Sequence, residues 1–162
     1  MPNLWHVIRA ITNVVNLSTP LGLLVAALGR ASLRTAPGGI VLAENYRLNF
    51  PKASAFTVGN VVLVPHRTMT QAQWHHPDLL EHEDGHVTQY AMFLGIVFLP
   101  IYLLANAWSW ARTGTVWQGN VFERMAGFAS GGYPVEQENE PTWRPTRRPG
   151  WRDGRVGRGF SR

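Results

Sequence analysis

Two histidines four residues apart, His82 and His86, bracket a glutamate in the run HEDGH at 82–86. On an α-helix, residues at i and i+4 lie on one face about one turn apart, so both imidazoles can reach a single ion. Glu83 projects beside that face, where it can take a proton from a water whose pKa the ion has lowered. The chemistry needs all three residue types at this spacing: two imidazole donors, and a carboxylate that is not itself a ligand. The bland alternative is a solvated polar helix face that happens to match. The chain has no cysteine. Disulfides and thiolate metal sites are therefore excluded, and any metal rests on imidazole and carboxylate ligands, which favours zinc (Zn2+) or another imidazole-binding ion.

The element that must carry the motif is a helix over 78–90 (DLLEHEDGHVTQY), with Asp78 as N-cap and Glu81 three residues on in a capping-box pattern. Gly85 inside that helix costs about 1 kcal/mol relative to alanine. The cost makes sense where a strand or a second helix packs closely against it. Upstream, IVLAENYRLNF and FTVGNVVLVP within 40–65 are rich in Val, Ile and aromatics and are parted by Pro51-Lys52-Ala53-Ser54. They predict a hairpin or a small antiparallel sheet. Residues 3–17 have helical spacing at Leu4, Val7, Ile8, Ile11, Val14 and Val15. A break at Ser18-Thr19-Pro20 leads into a short apolar helix ended by Gly29. Residues 65–77, polar with two prolines, read as loop, and 120–129 as a short helix capped by Asn120. The fold class is α+β.

The helix resembles that of the zincin-like metallopeptidases, particularly small bacterial families with an HExGHxxQ helix. The match is carried by His82, Glu83, Gly85, His86 and Gln89. The resemblance spans roughly residues 40–130. It implies a third ligand on a later helix, commonly a glutamate in a pattern such as NxFExxA. NVFERMA at 120–126 places Glu123 there. It also implies a strand that precedes the motif and borders the cleft, a part that FTVGNVVLV at 56–64 fits. Asp84 departs from the pattern, since many members carry an apolar or larger residue at that point. Read without the resemblance, Glu123 is the only acid in its helix, flanked by Phe122, Met125 and Ala126. Such an acid either ligates or sits at the solvent edge. His66, His75 and His76 are further candidate ligands. His75-His76, directly before Pro77, read as exposed loop residues.

Residues 91–111 form an uncharged run of 21 residues ending near Trp108, Trp110 and Arg112. The run is long enough to cross a hydrocarbon core of about 30 Å, and its end resembles an interfacial belt. A straight span would put Glu123 across the membrane from His82 and His86. A helical hairpin bending at Pro100, with arms 91–99 and 101–111, satisfies both the run and the ligand. It dips into one leaflet or packs against 14–28 as a core.

Charge is uneven. Residues 144–162 hold seven Arg against Asp153 alone, so this segment accounts for more than the whole net charge of +5 and the first 143 residues carry −1. A nucleic-acid-binding domain shows a basic face within its fold, so no specific nucleic acid is expected. The expected organisation is a zincin-like domain over 1–133 with hydrophobic helices, followed by a disordered Arg/Pro/Gly-rich tail over 134–162. No secretory signal is convincing. Together these features predict a zinc metallopeptidase with His82, His86 and Glu123 on the metal and Glu83 as general base. Its substrate would be a peptide or protein, and it would be membrane-associated, with lipid as a partner, or otherwise cytoplasmic. Two other classes stay open. One is a non-catalytic membrane or scaffold protein that keeps the fold. The other is a binder that works through its arginine-rich tail.

Overall fold

The computed structural model describes residues 3–127. The expected boundary at 133/134 and the expected disorder beyond it lie outside the described residues. Among the described residues, six α-helices surround a four-stranded sheet, so the fold is α+β. The helices are α1 (Leu4–Val15), α2 (Ser18–Leu28), α3 (Met69–Gln73), α4 (Leu79–Met92), α5 (Phe98–Thr113) and α6 (Val121–Ala126). The strands are β1 (Ser32–Ala36), β2 (Ile40–Tyr46), β3 (Phe56–Val58) and β4 (Val61–Pro65).

The sheet order is β1-β2-β4-β3. It is mixed, not antiparallel: β2 runs parallel to β4, whereas β1–β2 and β3–β4 are antiparallel. The run expected as one strand over 56–64 is itself a hairpin. Gly59, at φ +63°, turns the chain, and a Cβ there would lie 2.4 Å from the Thr19 nitrogen. Because 56–58 folds back on 61–65, β4 arrives beside β2 pointing the same way. The edge strand β1 escaped the sequence reading because SLRTA is short and its side chains are mostly exposed, with no apolar alternation.

The central strand β4 is buried on both faces. Val61 and Leu63 join Ala43, Tyr90, Phe98 and Phe122 in one core cluster. Val62 and Val64 join Leu42, Met69, Leu79 and Val87 in another. The two-residue period of a strand explains the division.

Two helical expectations change. Asp78 stands at the N-cap of α4, but its side chain makes no capping hydrogen bond. The capping box belongs instead to Thr68 and Gln71 at the start of α3, inside the segment expected as loop. The bend in the apolar run is not at Pro100. The break falls at Phe93–Val97, where Leu94 and Gly95 both have positive φ, and α4 and α5 meet at 112°. Pro100 sits in the first turn of α5, where its missing N–H has no helical acceptor to lose. The arms 91–99 and 101–111 therefore do not form. No single helix among the described residues is long and apolar enough to cross a membrane.

Candidate metal centre

His82 and His86 lie on the buried face of α4, one turn apart, with their Nε2 atoms 3.2 Å from each other. Glu123 is brought to them by α6, and its side chain is 1% exposed. One carboxylate oxygen, Oε2, lies 3.4 Å from His82 Nε2, and the other, Oε1, lies 3.5 Å from His86 Nε2. Among the described residues, these three form a group whose ligand atoms all lie within 4.8 Å of one another. Glu123 is therefore not at the solvent edge.

Two local features deliver Glu123. The first is Gly85. A Cβ there would lie 3.2 Å from the Ala126 Cα and 3.3 Å from its Cβ, so glycine lets α6 seat directly on α4. The second is the reversal between α5 and α6. Ser109 Oγ donates to the Thr115 carbonyl and accepts from the Gly119 N–H. Asn120 Nδ2 donates to Asn106 Oδ1, and Asn120 Oδ1 caps α6 at the Phe122 N–H. The reversal occurs through these polar bonds at the far end of α5.

The second ring nitrogen of each histidine is committed. His82 Nδ1 lies 2.9 Å from the Gly127 carbonyl, an acceptor only, so Nδ1 must carry the proton. His86 Nδ1 lies 2.9 Å from Gln89 Oε1. The orientation of the Gln89 amide is fixed in turn, because its Nε2 donates to the Phe122 carbonyl at 2.8 Å. When the rings are neutral, these Nδ1 bonds leave each Nε2 lone pair facing the shared space. The Tyr102 hydroxyl donates to Glu123 Oε1. Glu123 Oε2 is buried and faces His82 Nε2 at 3.4 Å. Two buried imidazole nitrogens converging on a buried carboxylate make a setting electrostatically suited to a cation.

The donor set fits zinc. Tetrahedral zinc with bonds of about 2.0–2.1 Å has ligand–ligand edges of roughly 3.3–3.4 Å. The two imidazole nitrogens stand 3.2 Å apart, and one carboxylate oxygen lies 3.4 Å from the first and the other oxygen 3.5 Å from the second. With one donor atom per residue the group lies within 4.8 Å, a spread that small side-chain shifts bring to that size. The titration directions agree with a place for positive charge. Burial lowers the His82 pKa, but the hydrogen bond to Glu123, the charge of Glu83, the Gly127 carbonyl and the charge of Glu123 more than offset it, so the net shift is upward. Burial raises the Glu123 pKa, but the bond to His82, the charge of His86 and the Tyr102 hydroxyl bring it below the usual carboxylate value.

Glu83 is buried on α4 beside the pair, and edge strand β3 supplies its anchor: Thr57 Oγ1 donates to Glu83 Oε2 at 2.7 Å. Asp84 points elsewhere. It pairs at 2.7 Å with Arg9 of α1, a buried guanidinium that also bonds Thr88 Oγ1 and the Gly38 carbonyl. The extra carboxylate of HEDGH is thus a tether for α1. Of the other candidates, His66 bonds Asn49 at the surface, and neither His75 nor His76 joins the cluster. The sequence reading missed Arg9, Thr57 and Tyr102. Each acts across the fold, and nothing in its local sequence marks it. A hollow of about 390 Å³ lined by Gly38, Asp78, Glu81 and Asp84 flanks α4 and touches none of His82, Glu83, His86 or Glu123.

No family model, curated protein or solved structure matches the chain. The functional reading therefore rests on the site itself.

Proposed function

We propose that the protein is a membrane-associated zinc-dependent hydrolase that cleaves peptide bonds, with His82, His86 and Glu123 as the metal ligands and Glu83 as the general base. The observation that carries this reading is the convergence of two Nδ1-protonated imidazoles and a buried carboxylate, with one donor atom from each within 4.8 Å of the others. Bound zinc supplies a Lewis acid that polarises a carbonyl and makes water acidic enough to deprotonate near neutral pH.

The chain's own residues do the rest. Gln89 and the Gly127 carbonyl orient the two imidazoles, as outer partners of metal-binding histidines commonly do. Tyr102 holds one oxygen of Glu123. Thr57 holds Glu83 Oε2, which leaves Oε1 to receive the proton of an attacking water and return it to the leaving amine. The same strand, β3, is an edge of the sheet, the position from which a strand pairs with an extended peptide.

The test is metal content by mass spectrometry alongside peptide hydrolysis. Wild type should hold about one zinc per chain, lost in His82→Ala and His86→Ala. Glu83→Gln should keep the zinc and lose turnover. Equal metal in wild type and both histidine variants would reject the centre. Zinc without hydrolysis of any peptide would favour the second reading, a scaffold that keeps the fold. The deep burial of His82, His86 and Glu123 is the observation that favours that reading.

A further inference from the structure

Helix α1 is built inside out. Its two fully buried residues are Arg9 and Asn13. Arg9 is held by Asp84, Thr88 and Gly38, and Asn13 donates to Asn60 Oδ1 and the Val87 carbonyl. Its exposed face is Leu4, Trp5, Val7, Ile8, Ile11, Val14 and Val15. A helix on a water-facing surface shows the opposite arrangement. The pattern continues into the elements that touch it. In α2 the exposed positions are Pro20, Leu23, Leu24, Ala27 and Leu28. Across the break at 93–97 they are Leu94, Ile96 and Val97, and in α5 up to Ala111 every exposed residue is apolar. The first exposed charges come only where these helices end, at Arg30 and Arg112. So continuous an apolar surface is far beyond the scattered single residues normal on a soluble monomer.

We infer that α1, α2, the 93–97 elbow and α5 form one lipid-facing surface that beds in a single leaflet of a bilayer containing anionic phospholipid. Three features select lipid over a protein partner. First, the two breaks meet, and one side chain satisfies polar groups at both. Asn16 Oδ1 accepts from the Ser18 N–H and hydroxyl, while Asn16 Nδ2 donates to the Tyr90 carbonyl near the end of α4. Backbone in contact with lipid needs such internal partners, because hydrocarbon offers none. Each elbow then presents a leucine, Leu17 at 60% and Leu94 at 74% exposure. Second, α5 ends in exposed Trp108 and Trp110, with the Arg112 guanidinium 5.3 Å from the Trp108 ring centroid, the composition of a headgroup-level belt. Third, the charge is complementary. The arginines at 144–162 give this segment a surplus of six positive charges, suited to anionic headgroups and unsuited to covering the uncharged helices themselves. Bends of 73° between α1 and α2 and 112° between α4 and α5 keep each pair from running straight through.

The surface deepens the hydrolase reading at one point, and that point rests on it. Tyr102, which holds Glu123, stands in α5 between the lipid-facing Ile101 and Leu103. The apolar surface thus borders the metal centre through α5, and the substrate class is a peptide lying at or entering the membrane surface.

The experiment is flotation of the full chain, reconstituted from detergent, with vesicles of phosphatidylcholine alone or mixed with phosphatidylglycerol, with zinc content measured on each variant. Wild type should float with both vesicles and more strongly with the anionic mixture, and that preference should vanish in high salt. Ile8→Glu and Leu104→Glu, at exposed sites, should each reduce partition roughly tenfold or more while zinc content stays at the wild-type level. Wild type that stays with the aqueous fraction would overturn the proposal. So would a stable dimer in detergent-free buffer that ignores vesicles, since a second copy would then cover the face. Loss of zinc in His86→Ala with unchanged flotation separates failure of the metal centre from failure of the surface.

Discussion

Gln89 lies between His86 and the Phe122 carbonyl, and its amide passes a fixed orientation from one to the other. The carbonyl can only accept, so the amide nitrogen must face it and the amide oxygen must face His86. One turn of α4 beyond the second histidine, the chain thus decides which imidazole nitrogen is left for a metal. Gln89→Leu removes both bonds and should weaken zinc binding by roughly 10–100-fold. Competition titration with a zinc chelator measures this, and an unchanged affinity would show that His86 is oriented by other means.

Gly85 is the contact that admits α6. Gly85→Val places a branched side chain where even a single carbon would stand 3.2 Å from the Ala126 Cα. The helix propensity of α4 improves by a few tenths of a kcal/mol, yet α6 must move away and take Glu123 with it. Zinc affinity should fall more steeply than helicity. Circular dichroism beside a metal titration reads the two separately, and tight zinc binding by Gly85→Val would contradict the packing argument.

Glu123→Gln keeps the volume but removes the charge that offsets the ion and faces His82. Zinc occupancy should drop well below one per chain, whereas Glu83→Gln should keep it, since Glu83 is anchored by Thr57 outside the ligand group. Equal occupancy in the two variants would remove the distinction between ligand and base.

Arg9 is 1% exposed and Asp84 38%. Replacing Arg9 by Ala leaves Asp84, Thr88 and the Gly38 carbonyl without their donor and opens a cavity under α1. The cost should be about 3 kcal/mol, read by denaturant unfolding in detergent. Asp84→Asn should cost less, because Asp84 is partly solvated. A larger loss for Asp84→Asn than for Arg9→Ala would reverse this ranking.

The metal-free and zinc-loaded proteins should respond oppositely to pH. Without metal, the upward-shifted His82 contributes stability that is complete below its ordinary value of 6.5 and is lost as pH rises through its folded value. The downward-shifted Glu123 contributes stability that is complete above its ordinary value of 4.5 and is lost as pH falls through its folded value. The metal-free chain should therefore be most stable between these two values. Zinc needs Nε2 unprotonated, so its stabilisation grows as pH rises. Thermal midpoints with and without zinc should diverge above neutrality. A constant gap across pH would mean that the imidazoles do not titrate with binding.

The sequence by itself determined the local chemistry. HEDGH on a helix sets two imidazoles one turn apart whatever surrounds them, and Asn120 before an apolar run caps a short helix wherever that helix docks. A glycine kept inside a helix signals a close neighbour, though only the fold shows that the neighbour is Ala126. Long-range relationships decided the rest. Strand periodicity shows which residues alternate but not the partner, so β2 and β4 became parallel once Gly59 folded 56–58 back. Pro100 looked like the bend because proline breaks helix interiors, yet where the helix begins decides whether it lies in an interior. The stripe of α1 fixed a helix with one apolar face but left open which solvent that face meets. Arg9 and Asn13 meet partners more than 70 residues away on α4, and those contacts turn the polar side inward and the apolar side out. Local sequence sets conformation within a turn or two. Which face is buried depends on groups that only the folded chain brings within bonding distance.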